Sequence, residues 1–327
     1  MDPQAYAYVH QNEWKRLAAL SRKRALDGSE VDELLQLYQR GAGELAQIRR
    51  TAPDPELILH LSALLGEARS RLTQRKSGVM QSLVRLFGVT LPVAFYRLRW
   101  WALAVTAACV LLAVGVYVVY AFTPGLVDTL GSPRAQEQYA TRAFEAYYSE
   151  YSNSDFSAMV WTNNAWVALQ CVAGGITGIW PIYVLGQNSV ALGQSAIVMD
   201  QFDRLGLFFQ LILPHGQLEL MSIFFAGAAG LKLFWTFVHP GKRPRIEALG
   251  QEGLHTVTVA IGLVFVLFVS GLVEGFVTPS NLPWPLKIAI GTLVLVAFWL
   301  WVIMLGKRGE AIHADDESFA ATHIEYA

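Results

Sequence analysis

Residues 101–122 read WALAVTAACVLLAVGVYVVYAF, a run without one charged side chain. A helix needs about 20 predominantly apolar residues to cross a bilayer core, so this stretch reads as a membrane span. It sets the fold class for the whole chain, an all-α, polytopic helical membrane protein. The composition agrees: of 327 residues, 54% are hydrophobic and only 16% charged, and the mean hydropathy is +0.35. Soluble domains sit nearer about 45–50% apolar and 25% charged. An ordinary cytosolic enzyme, a disordered regulator and a secreted disulfide scaffold are thereby excluded. A net charge of −1 gives no sign of a nucleic-acid partner. Cys109 and Cys171 both lie inside apolar runs and read as small buried hydrophobes, not as a disulfide or metal pair.

Upstream of this span the character changes. Met1–Arg99 holds 15 Lys/Arg and 10 Asp/Glu. Met1–Arg16 lacks a basic stretch followed by an apolar one, so no signal peptide is expected and this region should stay on the cytoplasmic side. Asp27-Gly28-Ser29 is a turn signal, with Ser29 as the expected cap before Glu30, Asp32 and Glu33. Val31, Leu34, Leu35 and Tyr38 then recur at helical spacing, as do Leu57, Leu61, Leu64, Leu65 and Ala68 after Pro53-Asp54-Pro55. Two such stripes predict a helical hairpin, joined by a shorter first helix carrying Val9, Trp14 and Leu17. Between Lys76 and Arg99 the chain is basic and amphipathic, which predicts a helix on an anionic membrane face that turns into the first span near Pro92.

Downstream, further spans are expected at Trp166–Leu185, Leu218–Val238, Val257–Val277 and Leu286–Leu305. Gly174, Gly175 and Gly178 suit close helix packing in the second of these. Basic residues set the sides. Thr123–Ala158 carries two arginines against five acids and belongs outside, where Tyr139, Tyr147, Tyr148 and Tyr151 predict a helix against the outer membrane face. Lys242, Arg243 and Arg245 belong inside, as do Lys307 and Arg308, so both termini are expected in the cytoplasm. These sides demand an even number of crossings between Leu185 and His239, where only one strong span is visible. Residues 189–213, broken by Asp200, Asp203 and Arg204 and ending at Pro214-His215-Gly216, are therefore read as a re-entrant or broken helix pair, with Pro214 and Gly216 as the helix break and a second break at Gln187-Asn188-Ser189. The expected division is 1–99 cytoplasmic, 100–306 transmembrane and 307–327 a cytoplasmic tail, in the inner (cytoplasmic) membrane.

Polar groups inside spans are costly and tend to mark functional or structural networks. The candidates are Asn163, Asn164, Asn188, His215, Glu219 and Glu274, expected to gather in one intramembrane polar cluster, with Gln194 nearby. His215 and Glu219 are four apart and share a helix face. No catalytic constellation is recognisable: a zinc motif of the HExxH type needs two histidines at that spacing and only one is present, and there is no nucleophile triad, P-loop or dinucleotide turn. No catalytic residue, metal or cofactor is expected.

Leu213-Pro214-His215-Gly216-Gln217-Leu218-Glu219-Leu220, then Phe225-Ala226-Gly227-Ala228-Ala229-Gly230-Leu231, Glu274-Gly275-Phe276-Val277-Thr278-Pro279-Ser280 and the Asn163-Asn164 pair carry a resemblance. The chain resembles the stage II sporulation protein M family over nearly its whole length, more weakly at Trp14, Leu34–Tyr38 and Ala68-Arg69. The resemblance implies a multi-pass membrane protein. In spore formers the namesake acts in engulfment, anchoring and localising cell-wall hydrolases without being one. Relatives in organisms that form no spores commonly have genes beside those of RDD-type membrane proteins, MoxR-type ATPases and von Willebrand A-like proteins. The function expected is thus a non-enzymatic membrane scaffold with the lipid bilayer and protein partners around it, self-association being compatible. The alternative is a proton- or ion-coupled transporter or channel using the His/Glu/Asn cluster, motivated by half-helix ends at the Pro214 break.

Overall fold

The computed structural model describes residues 3–23, 26–51, 54–73, 79–144 and 153–324. Among these every regular element is helical. The chain divides into two compact units, Met1–Leu83 and Val84–Ala327.

In the first unit three helices, α1 (Pro3–Arg22), α2 (Gly28–Thr51) and α3 (Pro55–Thr73), close a core of Trp14, Leu17, Leu20, Leu34, Ile48, Leu61, Leu64, Leu65 and Ala68. The expected hairpin is therefore a three-helix bundle, with α1 a full partner because Trp14, Leu17 and Leu20 recur on one face. Half of the α2 stripe faces outward: Leu34 is buried, while Val31 and Leu35 are exposed. The cap of α2 is Asp27 and not Ser29. Asp27 Oδ1 accepts from the Glu30 backbone N–H at 2.8 Å, and Glu30 Oε2 accepts in return from the Asp27 N–H at 3.2 Å, a reciprocal capping box. Asp54 caps α3 in one direction only, its Oδ1 accepting from the Glu56 and Leu57 N–H groups. Pro53 lies outside the described residues.

These caps and the surface Arg16–Glu33 pair predict a small loss of stability in acid. The Ser29 hydroxyl holds the Asp27 carboxyl below its usual range, the Lys23 ammonium does so for Glu30, and the Arg16 guanidinium for Glu33. A carboxylate depressed by folding contributes stability above its unfolded value and loses it as pH falls through the folded one. With ordinary values of 3.8 for Asp and 4.5 for Glu, the unfolding temperature of the first unit is expected to stay level at neutral pH and to fall modestly in the acid range below those values. Calorimetry across pH checks this, and Asp27→Asn, which keeps a cap oxygen, should flatten the profile.

Four helices are long and apolar enough to cross a membrane: α4 (Val79–Phe122, in the second unit from Val84 onward), α8 (Leu205–Val238), α9 (Arg245–Val277) and α10 (Trp284–Ile324). Between α4 and α8 lie α5 (Pro133–Gln138), α6 (Asn153–Ala173) and α7 (Ile179–Gln201). The core is built where α4, α8 and α10 meet. Phe95, Phe225 and Phe298 pack edge to face, with centroids 5.1–5.7 Å apart, the arrangement aromatic quadrupoles favour.

Several boundaries differ from the sequence reading. Residues 84–99 belong to the second unit, with Leu91, Phe95 and Leu98 in its core. No turn occurs near Pro92: α4 continues through a π turn at Leu86–Thr90, and Pro92 sits in the first turn of the following α segment, where its missing N–H is harmless. Lys76 lies outside the described residues. The span expected at 166–185 contains a hairpin turn, since α6 ends at Ala173 and α7 begins at Ile179. Gly178 there has φ of +67°, and a Cβ on Gly175 would stand 2.7 Å from Gly230 Cα. The small residues thus allow a close crossing with α8. Of the breaks expected around 189–213, the one at Asp200–Arg204 is present and the other two are not: α7 runs unbroken through Gln187, Asn188 and Ser189 to Gln201, and after the turn at Phe202–Arg204 helix α8 passes straight through Pro214 and Gly216. The charges Asp200, Asp203 and Arg204 mark a real turn. A proline inside a membrane helix is tolerated where neighbouring protein covers it, and here α10 does so at Gly291. The last helix continues past residue 306 to Ile324, so the tail begins as an extension of the span.

On the segment between α4 and α6, Tyr139 lies in a π turn and its hydroxyl donates to Ser195 Oγ at 3.0 Å. Tyr147, Tyr148 and Tyr151 lie outside the described residues.

Candidate functional site

Helix α9 ends in a π turn, Val273–Val277, marked by the Thr278 N–H donating to the Val273 carbonyl at 3.1 Å. One extra residue per turn changes the direction of the side chains that follow, and such π turns are frequent at functional sites. Glu274, in this turn, is 3% exposed, and Thr278 just beyond it is buried.

Opposite stands α8 with His215 and Glu219 on one face. His215 Nδ1 lies 3.2 Å from Thr278 Oγ1, while Nε2 faces Glu274 Oε1 at 3.6 Å. The Ser270 hydroxyl donates to the His215 carbonyl at 3.1 Å, tying α9 to α8 one turn away. Glu219 interacts with Glu274 and with Asn164 of α6. One donor atom each from His215, Glu219 and Glu274 falls within 4.8 Å of the other two. The second carboxyl oxygens, Glu219 Oε2 and Glu274 Oε2, are buried without a hydrogen-bond partner. Three helices thus place one imidazole, two carboxyl groups and one carboxamide at a single point.

Two of the sequence candidates stand elsewhere. Asn163 is exposed, on a different face of α6 from Asn164. Asn188 donates to the Val184 carbonyl at 2.8 Å, satisfied by its own helix. Gln194 donates to the Tyr120 hydroxyl at 3.1 Å and belongs to another network. Pro214 and Gly216 lie in a continuous helix, so the half-helix ends that motivated the transport alternative are absent at this place. Gly216 has a packing role, because a Cβ there would stand 2.8 Å from Ile212 Cγ2.

Sequence reasoning missed two polar networks. Lys232 Nζ is 3.1 Å from Glu252 Oε1, His255 Nδ1 is 3.2 Å from the same oxygen, and His255 Nε2 is 3.0 Å from the Ala94 carbonyl. The signal was a lysine inside an apolar run, with an acid and a histidine three apart on the next helix. Near the other end of α7, the Tyr117 hydroxyl donates to Asp200 Oδ2 at 2.7 Å, for which no local pattern exists.

The comparisons with known proteins bear on the helices that build this cluster. Residues 102–279, from the first span to just beyond Thr278, match the stage II sporulation protein M family. The chain belongs to this family. The match starts only at residue 102, so the amino-terminal unit, first read as a weaker part of the same resemblance, falls outside it. Residues 4–74 match instead a separate domain of unknown function (DUF8413). No curated protein and no solved structure matches the chain. Asn164, His215, Glu219 and Glu274 all fall within the family segment, and membership together with four apolar helices makes this a membrane protein.

Proposed function

We propose that the chain is a non-enzymatic membrane scaffold, in which the helical membrane unit anchors a separate recruiting module, the amino-terminal three-helix unit. The observation that carries this reading is that residues 3–73 close a core of their own and match a domain family of their own. Such a module needs no membrane to fold, and it turns Tyr8, Val9 and Leu59 outward at 82%, 72% and 74% exposure. The partners in view are proteins of the envelope or ATPase kind that accompany the family.

Orientation follows from charge. Lys242, Arg243 and Arg245 between α8 and α9 face the cytoplasm under the positive-inside rule. At about 1.5 Å per residue, α6 and α7 with 21 and 23 residues are long enough to cross a core of about 30 Å. With them the crossings number six, both termini are cytoplasmic in the inner membrane, and the parity required by the charges is met without a re-entrant element. Lys242→Cys should resist an impermeant maleimide in intact cells, while Asn281→Cys in the short α9–α10 connection should react. The reverse pattern would overturn the orientation.

The scaffold reading predicts that the full chain in mildly solubilised membranes migrates as a larger complex of defined composition. Tyr8→Asp with Leu59→Asp should release the partner and leave the membrane unit folded and inserted. Migration of the native chain by itself across several mild detergents would count decisively against recruitment.

A further inference from the structure

We propose that His215, Glu219 and Glu274 form a binding site for one divalent transition-metal cation of the zinc or manganese class, a site that cross-links α8 to the end of α9. It goes beyond the scaffold reading and does not depend on it. The first observation is geometric: the three donor atoms lie within 4.8 Å of one another. His215 Nε2 and Glu274 Oε1, at 3.6 Å, are farther apart than an N–H···O bond of about 2.7–3.2 Å. A tetrahedral ion with ligands at about 2.0–2.1 Å holds them about 3.3–3.4 Å apart, so a few tenths of an ångström of contraction makes them ligands of one ion. The second observation is independent of this spacing. Glu219 Oε2 and Glu274 Oε2 are buried without a hydrogen-bond partner, a costly condition for a carboxyl group that coordination would relieve.

The chemistry of the donors selects the ion. Two carboxylates carry the charge that neutralises a divalent cation, while the imidazole nitrogen favours zinc, manganese or iron over calcium and magnesium, which demand more oxygen ligands and retain water. Thr278 Oγ1, 3.2 Å from Nδ1, orients the ring so that Nε2 faces the carboxyl groups, the outer-shell arrangement metal-bound histidines commonly show. Asn164 hydrogen-bonds to the Glu219 carboxyl group and helps to hold it in place. Glu274 sits in the last turn of its helix, at the end and not the middle of the apolar run.

The other His/Glu group, His10, Glu13 and Glu44 in the first unit, carries no such inference. Glu44 already accepts from Trp14 Nε1 at 2.7 Å and pairs with His10 at 2.9 Å, and Glu13 accepts from Arg40 at 3.2 Å.

The test uses the full chain in mild detergent, stripped with chelator, reloaded with Zn²⁺ or Mn²⁺ and desalted in excess Mg²⁺. Metal content is then measured by mass spectrometry, and the unfolding temperature by tryptophan fluorescence. The native chain and His10→Gln should retain close to one equivalent and unfold several degrees higher than the stripped protein. Glu274→Gln and His215→Gln should bind about 10-fold more weakly or worse and show no shift. X-ray absorption of the loaded native chain, which needs no variant to fold, should show nitrogen and oxygen ligands at about 2.0–2.2 Å. Failure of the native chain to retain either ion, equal retention by a folded Glu274→Gln, or sulfur ligation from Cys109 or Cys171 would each overturn the proposal.

Discussion

Gly291→Ala is expected to damage the membrane unit far more than the same change at a lipid-facing glycine. A Cβ at residue 291 would stand 2.0 Å from the Pro214 carbonyl oxygen and 2.7 Å from its carbon. The obstacle is backbone, so no rotamer change relieves it and α10 must move away from α8. Overpacking a well-filled core costs about 1–3 kcal/mol, and more where the backbone itself has to shift. The displacement would also uncover Pro214, where α8 lacks a backbone N–H, and loosen the neighbouring contact between Gln217 and Thr292. Gly115→Ala is the control: it lies exposed on α4 with nothing within 4 Å of the added methyl, and helix propensity there favours alanine. Unfolding temperatures in detergent should fall steeply for Gly291→Ala and stay level or rise for Gly115→Ala. Equal behaviour would mean that the α8–α10 crossing is looser than described.

Glu274→Leu should be the most destructive change in the polar cluster, and Glu274→Gln should be much milder. Leucine fills the volume but removes the group that faces both Glu219 and His215, leaving Glu219 with Asn164 and His215 as its remaining neighbours in the set. Deleting one member of a buried hydrogen-bonded set leaves a partner unsatisfied, at a cost of about 1–3 kcal/mol for each such group. Glutamine keeps an oxygen and adds a donor, so Glu219 still meets a hydrogen-bonding group. Pairing the changes makes the prediction sharper. If the cost comes from the stranded carboxyl and not from lost packing, Glu219→Leu with Glu274→Leu should be less damaging than the sum of the two single changes. Measurements in chelator-containing buffer keep this separate from any metal effect. Additive losses would show that the two glutamates act independently.

The sequence by itself determined the class of the protein and most of its polar candidates. Runs such as 101–122 need no partner to be read, because a bilayer imposes length and apolarity on each span separately. His215 and Glu219 were legible as a pair because four residues of helix align them. The stripe Leu57, Leu61, Leu64, Leu65, Ala68 was legible for the same reason.

Only the tertiary structure decided where the chain turns and what the His215–Glu219 pair faces. Proline is a strong local signal for a break, but whether a helix stops there depends on what covers it, and Gly291 sits 77 positions along the chain from Pro214. Conversely, the hairpin turn at Gly174–Gly178 hides in an apolar run, because small residues serve a crossing with Gly230 as well as a turn. Asn163 and Asn164 are adjacent in sequence and a helix sends them to different faces, so only packing could separate the member of the cluster from the bystander. Glu274 joins His215 because a π turn at the end of α9 directs it inward. A contact between helices is set by the depth and rotation at which they pack, and these depend on every side chain in the interface at once.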